Sequence, residues 1–194
     1  LAKDLTGYKN LVKLTSYAHT EGFYYRPRID KELLEKHKEG LIATSACLGG
    51  VVSSHLISGN YTRALNEAKY YKDLFGDDFY LELQNHNYEE DKIILRDVPK
   101  ISQELGIKLI ATNDIHYLKK EHAVPHNVYL LIKDTSAANA DKVDIYDLRY
   151  KTDEFYFKTQ EQMSELFLDF PEVLTNTLEI ADKCNLKIKF PIHM

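Results

Sequence analysis

The sequence predicts an α/β fold with a mainly parallel sheet and helices at its C-terminal end. Three observations carry that expectation. Short apolar runs at 41–44, 79–83 and 108–112 alternate with longer stretches of helical periodicity. Each run is followed by a small or polar signature, Ser45-Ala46-Cys47, Gln84-Asn85-His86-Asn87 and Asn113-Asp114-Ile115-His116. Strands separated by helices pair most readily as parallel βα units.

The elements follow in order. Leu11, Leu14 and Ala18 recur at helical spacing and place a helix over 8–18. Asp30 caps a short helix from Lys31 to His37, which ends before Gly40. Leu41-Ile42-Ala43-Thr44 reads as a buried strand, and 48–57 as a small-residue turn with a short helix. Over 61–74, Tyr61, Ala64, Leu65, Ala68 and Tyr71 form one apolar stripe, with Lys69 and Lys72 off it. Gly76-Asp77-Asp78 breaks that helix before the strand Phe79–Leu83. Ile94, Val98, Ile101 and Leu105 are again helical in spacing. Pro99 is expected to start the final section of this helix, with Asp97 near its cap, and Gly106 to end it. Lys108–Thr112 is the next strand. Residues 119–133 read as a helix kinked or restarted at Pro125, and 134–150 as a polar surface loop. Thr159 and Gln162 fit a capping box that opens a helix through Leu168. Pro171 opens the last helix, with Leu174, Leu178 and Ala181 as its core stripe.

Composition narrows the function classes. The 194 residues suit one domain or a large piece of one. A hydrophobic share of 44% and a charged share of 28% exclude disordered and collagen-like chains. Lys+Arg 25 against Asp+Glu 30 gives a net charge of −5, which argues against a broad nucleic-acid-gripping face but leaves room for a local phosphate site. No apolar run approaches the roughly 20 residues that span a bilayer, and no signal-peptide pattern is visible. Cys47 and Cys184 cannot make a disulfide framework, so a cytoplasmic location is expected. A start at Leu1 without Met and an uncapped end at Met194 are expected of a chain cut from something longer.

Parallel sheets carry their chemistry at the carboxyl ends of strands. Cys47, His86, Asp114 and His116 all fall there, and these residue types bind zinc and related cations. Each has a plainer role open to it. Cys47 can be a small core residue, His86 a turn cap, Asp114 an Asx-turn residue, and His116 a packing partner of Tyr117. His122 and His126 stand at i and i+4, but Pro125 lies between them and no Glu completes H-E-x-x-H, so a solvated face is expected. His19, His37, His55 and His193 have no partner pattern and read as surface residues, and Cys184 as inert in a helix tail. Tyr24-Tyr25-Arg26-Pro27-Arg28 mixes aromatics with arginine, which suits phosphate or a nucleotide, and equally a rigid loop held by Pro27. No P-loop, G-x-G-x-x-G or G-x-S-x-G occurs.

Four segments carry a resemblance: Glu21–Asp30 (EGFYYRPRID), Ser45–Gly50 (SACLGG), Tyr80–His86 (YLELQNH) and Ala111–Leu118 (ATNDIHYL). Together they resemble the amino-terminal PHP (polymerase and histidinol phosphatase) domain of the bacterial DNA polymerase III alpha subunits. Thr152–Tyr156 and Asn176–Ala181 resemble the segment that closes that domain before the palm. The resemblance implies a later part of a distorted β/α barrel over 1–150 and a helical closing segment over 151–194. It matches Cys47 to the family's cysteine-or-histidine metal ligand and Asp114 and His116 to its final Asp-x-His pair. His86, Arg26, Arg28 and His126 are near-site candidates without a standard ligand match. The remaining ligands are expected upstream of Leu1, and the palm aspartates downstream of Met194.

The implied activities are DNA-directed DNA polymerisation by the parent, with magnesium, and metal-dependent 3′–5′ exonuclease or phosphoesterase chemistry at the PHP site, with zinc or another divalent cation. The segment alone is expected to be inactive. The alternative is a non-catalytic scaffold for the proofreading exonuclease subunit. A free-standing histidinol-phosphatase-like enzyme is disfavoured by the polymerase-like closing segment. Implied partners are DNA, the proofreading subunit and other replisome subunits, with no membrane.

Overall fold

A computed structural model of the protein describes residues 1–134 and 144–188. The expectations for 135–143, within the polar loop, and for His193 lie outside the described residues. Three short strands, β1 (Ala43–Thr44), β2 (Phe79–Leu83) and β3 (Leu109–Ala111), pair in parallel in that order. Ala43 lies opposite Phe79, Leu81 opposite Leu109, and Leu83 opposite Ala111. The predicted parallel α/β fold is therefore present.

The sheet buries two faces, because successive side chains alternate across it. Phe79, Leu81 and Leu83 point into the main core. There they meet Val52 and Leu56 of α3 (Val51–Ile57), Ala64 and Ala68 of α4 (Tyr61–Phe75), and Ile94, Val98 and Ile101 of α5 (Glu89–Leu105). Tyr80, flanked by Ile42 and Ile110, lies on the other face against Ile180 of the C-terminal helix, Glu172–Lys183.

Ahead of the sheet, α1 (Leu5–Thr20) is capped by Asp4, whose carboxylate accepts the Gly7 N–H at 2.9 Å. The start of α1 is packed backbone to backbone on the residue before Leu41. A Cβ on Gly7 would collide with the Gly40 carbonyl oxygen, and Gly40 itself holds φ +73°. The Lys3 N–H donates to that same carbonyl at 2.8 Å. On α1, Leu14 and Ala18 are buried as predicted, whereas Leu11 is 41% exposed. Asp30 caps α2 (Lys31–Lys36) by accepting the Leu33 N–H, as expected.

Two local expectations are corrected and a third is met. Helix α5 runs unbroken through Pro99, and Asp97 lies inside it rather than at a cap. One missing backbone N–H is tolerated there because Val98 and Ile101 on either side are almost wholly buried. The last helix turns Val173 and Ile180 inward, while Leu178 is 65% exposed and Ala181 also faces out. At Pro125 the segment restarts as expected, a 3₁₀ turn over Lys120–His122 giving way to an α-helix. Pro125 sits in the first turn of α6 (Ala123–Asp134), where its missing N–H has no intrahelical partner to lose. The capping box at Thr159 and Gln162 is made in both directions and opens α7 (Gln160–Leu166), and the final helix is α8.

Asp97 carries a pH dependence. Arg96 at 2.6 Å and Lys100 at 2.7 Å hold its carboxyl down at about 2 against the cost of burial. A depressed carboxyl contributes its full stabilisation above the ordinary value near 3.9 and loses it as pH falls through the folded value. Asp97→Asn should therefore lower Tm at about pH 6, and the gap from wild type should close toward about pH 2. Thermal melts across that range check it, and a gap independent of pH refutes it.

Candidate functional site

The loops after β2 and β3 meet at the carboxyl end of the sheet. His86, expected as a turn cap or near-site residue, is 2% exposed. Its backbone N–H donates to Asp91 Oδ2 at 2.8 Å, and the Tyr88 N–H donates to the same oxygen at 2.9 Å. Its ring lies flat on Phe155, with centroids 4.4 Å apart and planes 5° apart. Burial pushes the His86 pKa down, so the ring is neutral, and Nε2 accepts the Asp114 N–H at 3.2 Å. His86 thus fixes the backbone that carries Asp114.

Asp114 and His116 are brought into contact, with Oδ1 3.3 Å from Nε2. Their segment is fastened to residues 155–157. The His116 and Tyr117 N–H groups donate to the Phe155 carbonyl at 2.8 and 3.3 Å, and Asn113 Nδ2 donates to the Tyr156 carbonyl at 2.7 Å. Around the His116 ring stand Phe155 at 4.9 Å, Tyr150 at 5.0 Å and His126 at 5.6 Å. His126 corrects the solvated-face expectation. It is half-buried, stacks on Tyr150 at 5.8 Å, and has its pKa lowered by burial and by His116. No ring contact draws His122 into the cluster among the described residues.

A polar layer lies beneath Asp114. Glu82, the one charged residue of β2, accepts the Thr112 hydroxyl at 3.3 Å, and Gln84 donates to that hydroxyl at 2.9 Å. Burial pushes the Glu82 carboxyl up, opposed by the Thr44 and Thr112 hydroxyls and reinforced by Asp114. A charged residue inside an apolar strand run was the signal that could have marked it. Phe155, Tyr150 and Asp91 left no such signal, because their roles depend on contacts made far along the chain.

Cys47 is exposed, in the loop after β1. It leaves the sheet at the same carboxyl end as Asp114, but from the opposite edge strand, with β2 between them. The Ser45 hydroxyl ties the start of that loop to the sheet by accepting the Glu82 N–H at 2.8 Å. Arg26 and Arg28 are exposed in the loop between α1 and α2, and no contact joins them to the Asp114–His116 pair. Among the described residues no group of three or more His, Cys, Asp or Glu side chains is placed to hold a metal ion. Asp114 and His116 supply one carboxylate oxygen and one imidazole nitrogen, donors that suit one corner of a zinc-type site rather than a whole one.

Comparison with known proteins agrees with this architecture. Residues 1–86 match the PHP domain family. The chain is 49% identical over 192 residues to a DNA polymerase III subunit alpha of Borreliella burgdorferi, covering 98% of this chain and 16% of the relative. It is 42% identical over 192 residues to that of Treponema pallidum, with the same two coverages. It is 45% identical over 198 residues to that of Campylobacter jejuni, covering 96% of this chain and 16% of the relative. The chain thus spans about one-sixth of the length of the curated relatives it matches. No helix among the described residues is long and apolar enough to cross a membrane. With the strand-end motifs, the parallel sheet and these matches together, the chain carries a PHP domain match over residues 1–86 and is similar along nearly its whole length to part of the DNA polymerase III alpha subunits.

Proposed function

We propose that the chain serves DNA replication as the PHP segment of a DNA-directed DNA polymerase. In this reading Asp114, His116 and Cys47 form one corner of a divalent-metal phosphoesterase site, completed by residues elsewhere in the full-length polymerase. The observation that carries it is the Asp114–His116 contact at the carboxyl edge of a parallel sheet, held from behind by His86 and Phe155. Asp114 would give a hard anionic oxygen, His116 a neutral nitrogen and Cys47 a thiolate. A bound divalent cation supplies Lewis-acid chemistry at a phosphodiester. The chain's own residues orient that corner: His86 fixes the Asp114 backbone, and Phe155 and Tyr150 pack against the His116 ring. The segment by itself is expected to be inactive, and the polymerase to use magnesium in its own domain.

A second reading is a scaffold that binds the proofreading exonuclease subunit and other replisome proteins. It is favoured by the outward apolar side chains of α1, where Leu5 is 54% and Val12 47% exposed. Asp114→Asn in the full-length polymerase separates the two. The metal reading expects at least about a tenfold loss of metal affinity, since even an outer-shell partner is worth that much. Metal content by plasma mass spectrometry and 3′–5′ cleavage of primed DNA check it. Unchanged values for both would sink the metal reading. Loss of exonuclease-subunit binding on Leu5→Ser with Val12→Ser would support the scaffold.

A further inference from the structure

The loop between α1 and α2 exposes Phe23, Tyr24 and Tyr25 at 60%, 65% and 82%, with Arg26 and Arg28 exposed beside them. Three consecutive aromatic rings in water are unusual where no partner covers them. The loop is nonetheless built to hold a shape. Tyr25 adopts φ +59°, a conformation costly for a side-chain-bearing residue and concentrated at ligand sites. The Tyr24 N–H donates to the Arg26 carbonyl at 3.1 Å, and Pro27 fixes the next φ. Gly22 packs its backbone so closely on the Arg28 carbonyl that a Cβ there would collide. Tyr24 and Tyr25 stand edge to face at 4.6 Å, and the Arg28 guanidinium lies over Tyr24 at 5.4 Å. Among the described residues neither guanidinium is ion-paired with a carboxylate. The neighbouring Asp30 is already engaged in capping α2.

Its position follows from the fold. The start of α1 is pinned beside Gly40, just before β1. The 16 residues of α1 then rise about 24 Å. Ala18 and Arg28 line a cavity of about 390 Å³ together with Leu41, Ile42 and Ala43, at the start of the β1 run. Pro27, Arg28 and Ile29 of the loop after α1 therefore lie beside the start of that strand run.

We propose that Tyr24, Tyr25, Arg26 and Arg28 form a contact site for single-stranded DNA, the rings stacking a base and the guanidinium groups gripping the adjoining phosphate. Aromatic faces accept any base, and arginine offers a planar fork of donors to phosphate. A site of two arginines is consistent with a net charge of −5, which disfavours only a broad DNA-binding face. The inference rests on the proposed phosphoesterase reading for its substrate class, not for its geometry.

Photo-cross-linking of a thio-substituted oligothymidylate to the full-length polymerase, followed by peptide mapping, tests it. An adduct on Tyr24 or Tyr25 is expected. Its yield should fall about tenfold on Tyr24→Ala with Tyr25→Ala, the scale of one lost base stack. It should fall several-fold on Arg26→Ala with Arg28→Ala, with a shallower dependence on salt. No adduct within residues 23–28 would overturn the proposal, as would a yield unmoved by both double variants. The wild-type map stands even where a variant folds poorly. In Asp114→Asn the adduct is expected to persist. If metal binding there is unchanged while the adduct maps to the loop, only the phosphoesterase reading fails.

Discussion

Asp91→Ala is expected to destabilise the protein by about 2–5 kcal/mol and to release the loop that carries His86. Asp91 is 1% exposed, and its Oδ2 accepts both the His86 and the Tyr88 backbone N–H groups. Alanine removes the one acceptor that two donors share, and a buried donor left without a partner costs about 1–3 kcal/mol. The consequence reaches Asp114, because its N–H is held by the ring of His86. Asp91→Asn discriminates this account from a simple loss of volume. Both bonds converge on Oδ2, and Oδ1 is buried without a partner. An amide can place its oxygen where Oδ2 stands and its NH₂ where Oδ1 stands. Asparagine should therefore cost no more than about 1 kcal/mol, near the value of one ordinary hydrogen bond. Urea unfolding of both variants checks the ranking, and hydrogen exchange at the Asp114 amide checks the coupling. Equal losses for Ala and Asn would mean that the carboxylate charge, not the shared acceptor, matters.

The sequence made the strand ends legible because apolar runs bounded by Gly, Asp and Asn leave little choice of register or boundary. Asp114 and His116 followed from that placement, and the structure brings them to 3.3 Å. Helix faces were less legible where two apolar stripes overlap. On α8 both 173/180 and 174/178/181 are apolar sets, and only the packing of Ile180 against Ile42, Tyr80 and Ile110 selects the first. Pro99 misled for a related reason. Propensity argues for a break there, but Val98 and Ile101 are worth more buried in one continuous helix than a single backbone bond is worth. The wall of the site was the least legible part. Tyr150 and Phe155 lie far along the chain from His86 and no hydrophobic period marks them, yet their rings pack against His116.

Phe155→Ala is expected to cost about 3–5 kcal/mol, the range for deleting a buried phenyl ring. Phe155 is 5% exposed and contacts His86, Tyr88, His116 and Tyr150 at once. Its carbonyl would still receive the His116 and Tyr117 N–H groups, because that pairing needs only backbone. The loss should therefore appear as a cavity beneath the two imidazoles rather than as a detached strand. Phe155→Leu, which fills part of that space, should recover about half of it. In the full-length polymerase the same series should weaken metal binding in the same order if His116 is a ligand. Stability loss with unchanged metal affinity would separate the wall from the site. Phe155 and Asp91 both act through His86, one on its ring and one on its backbone. Their substitutions should then fail to add, with a coupling of about 0.5–3 kcal/mol in a double-mutant cycle. Strict additivity would mean that the ring stack and the loop anchor hold His86 independently.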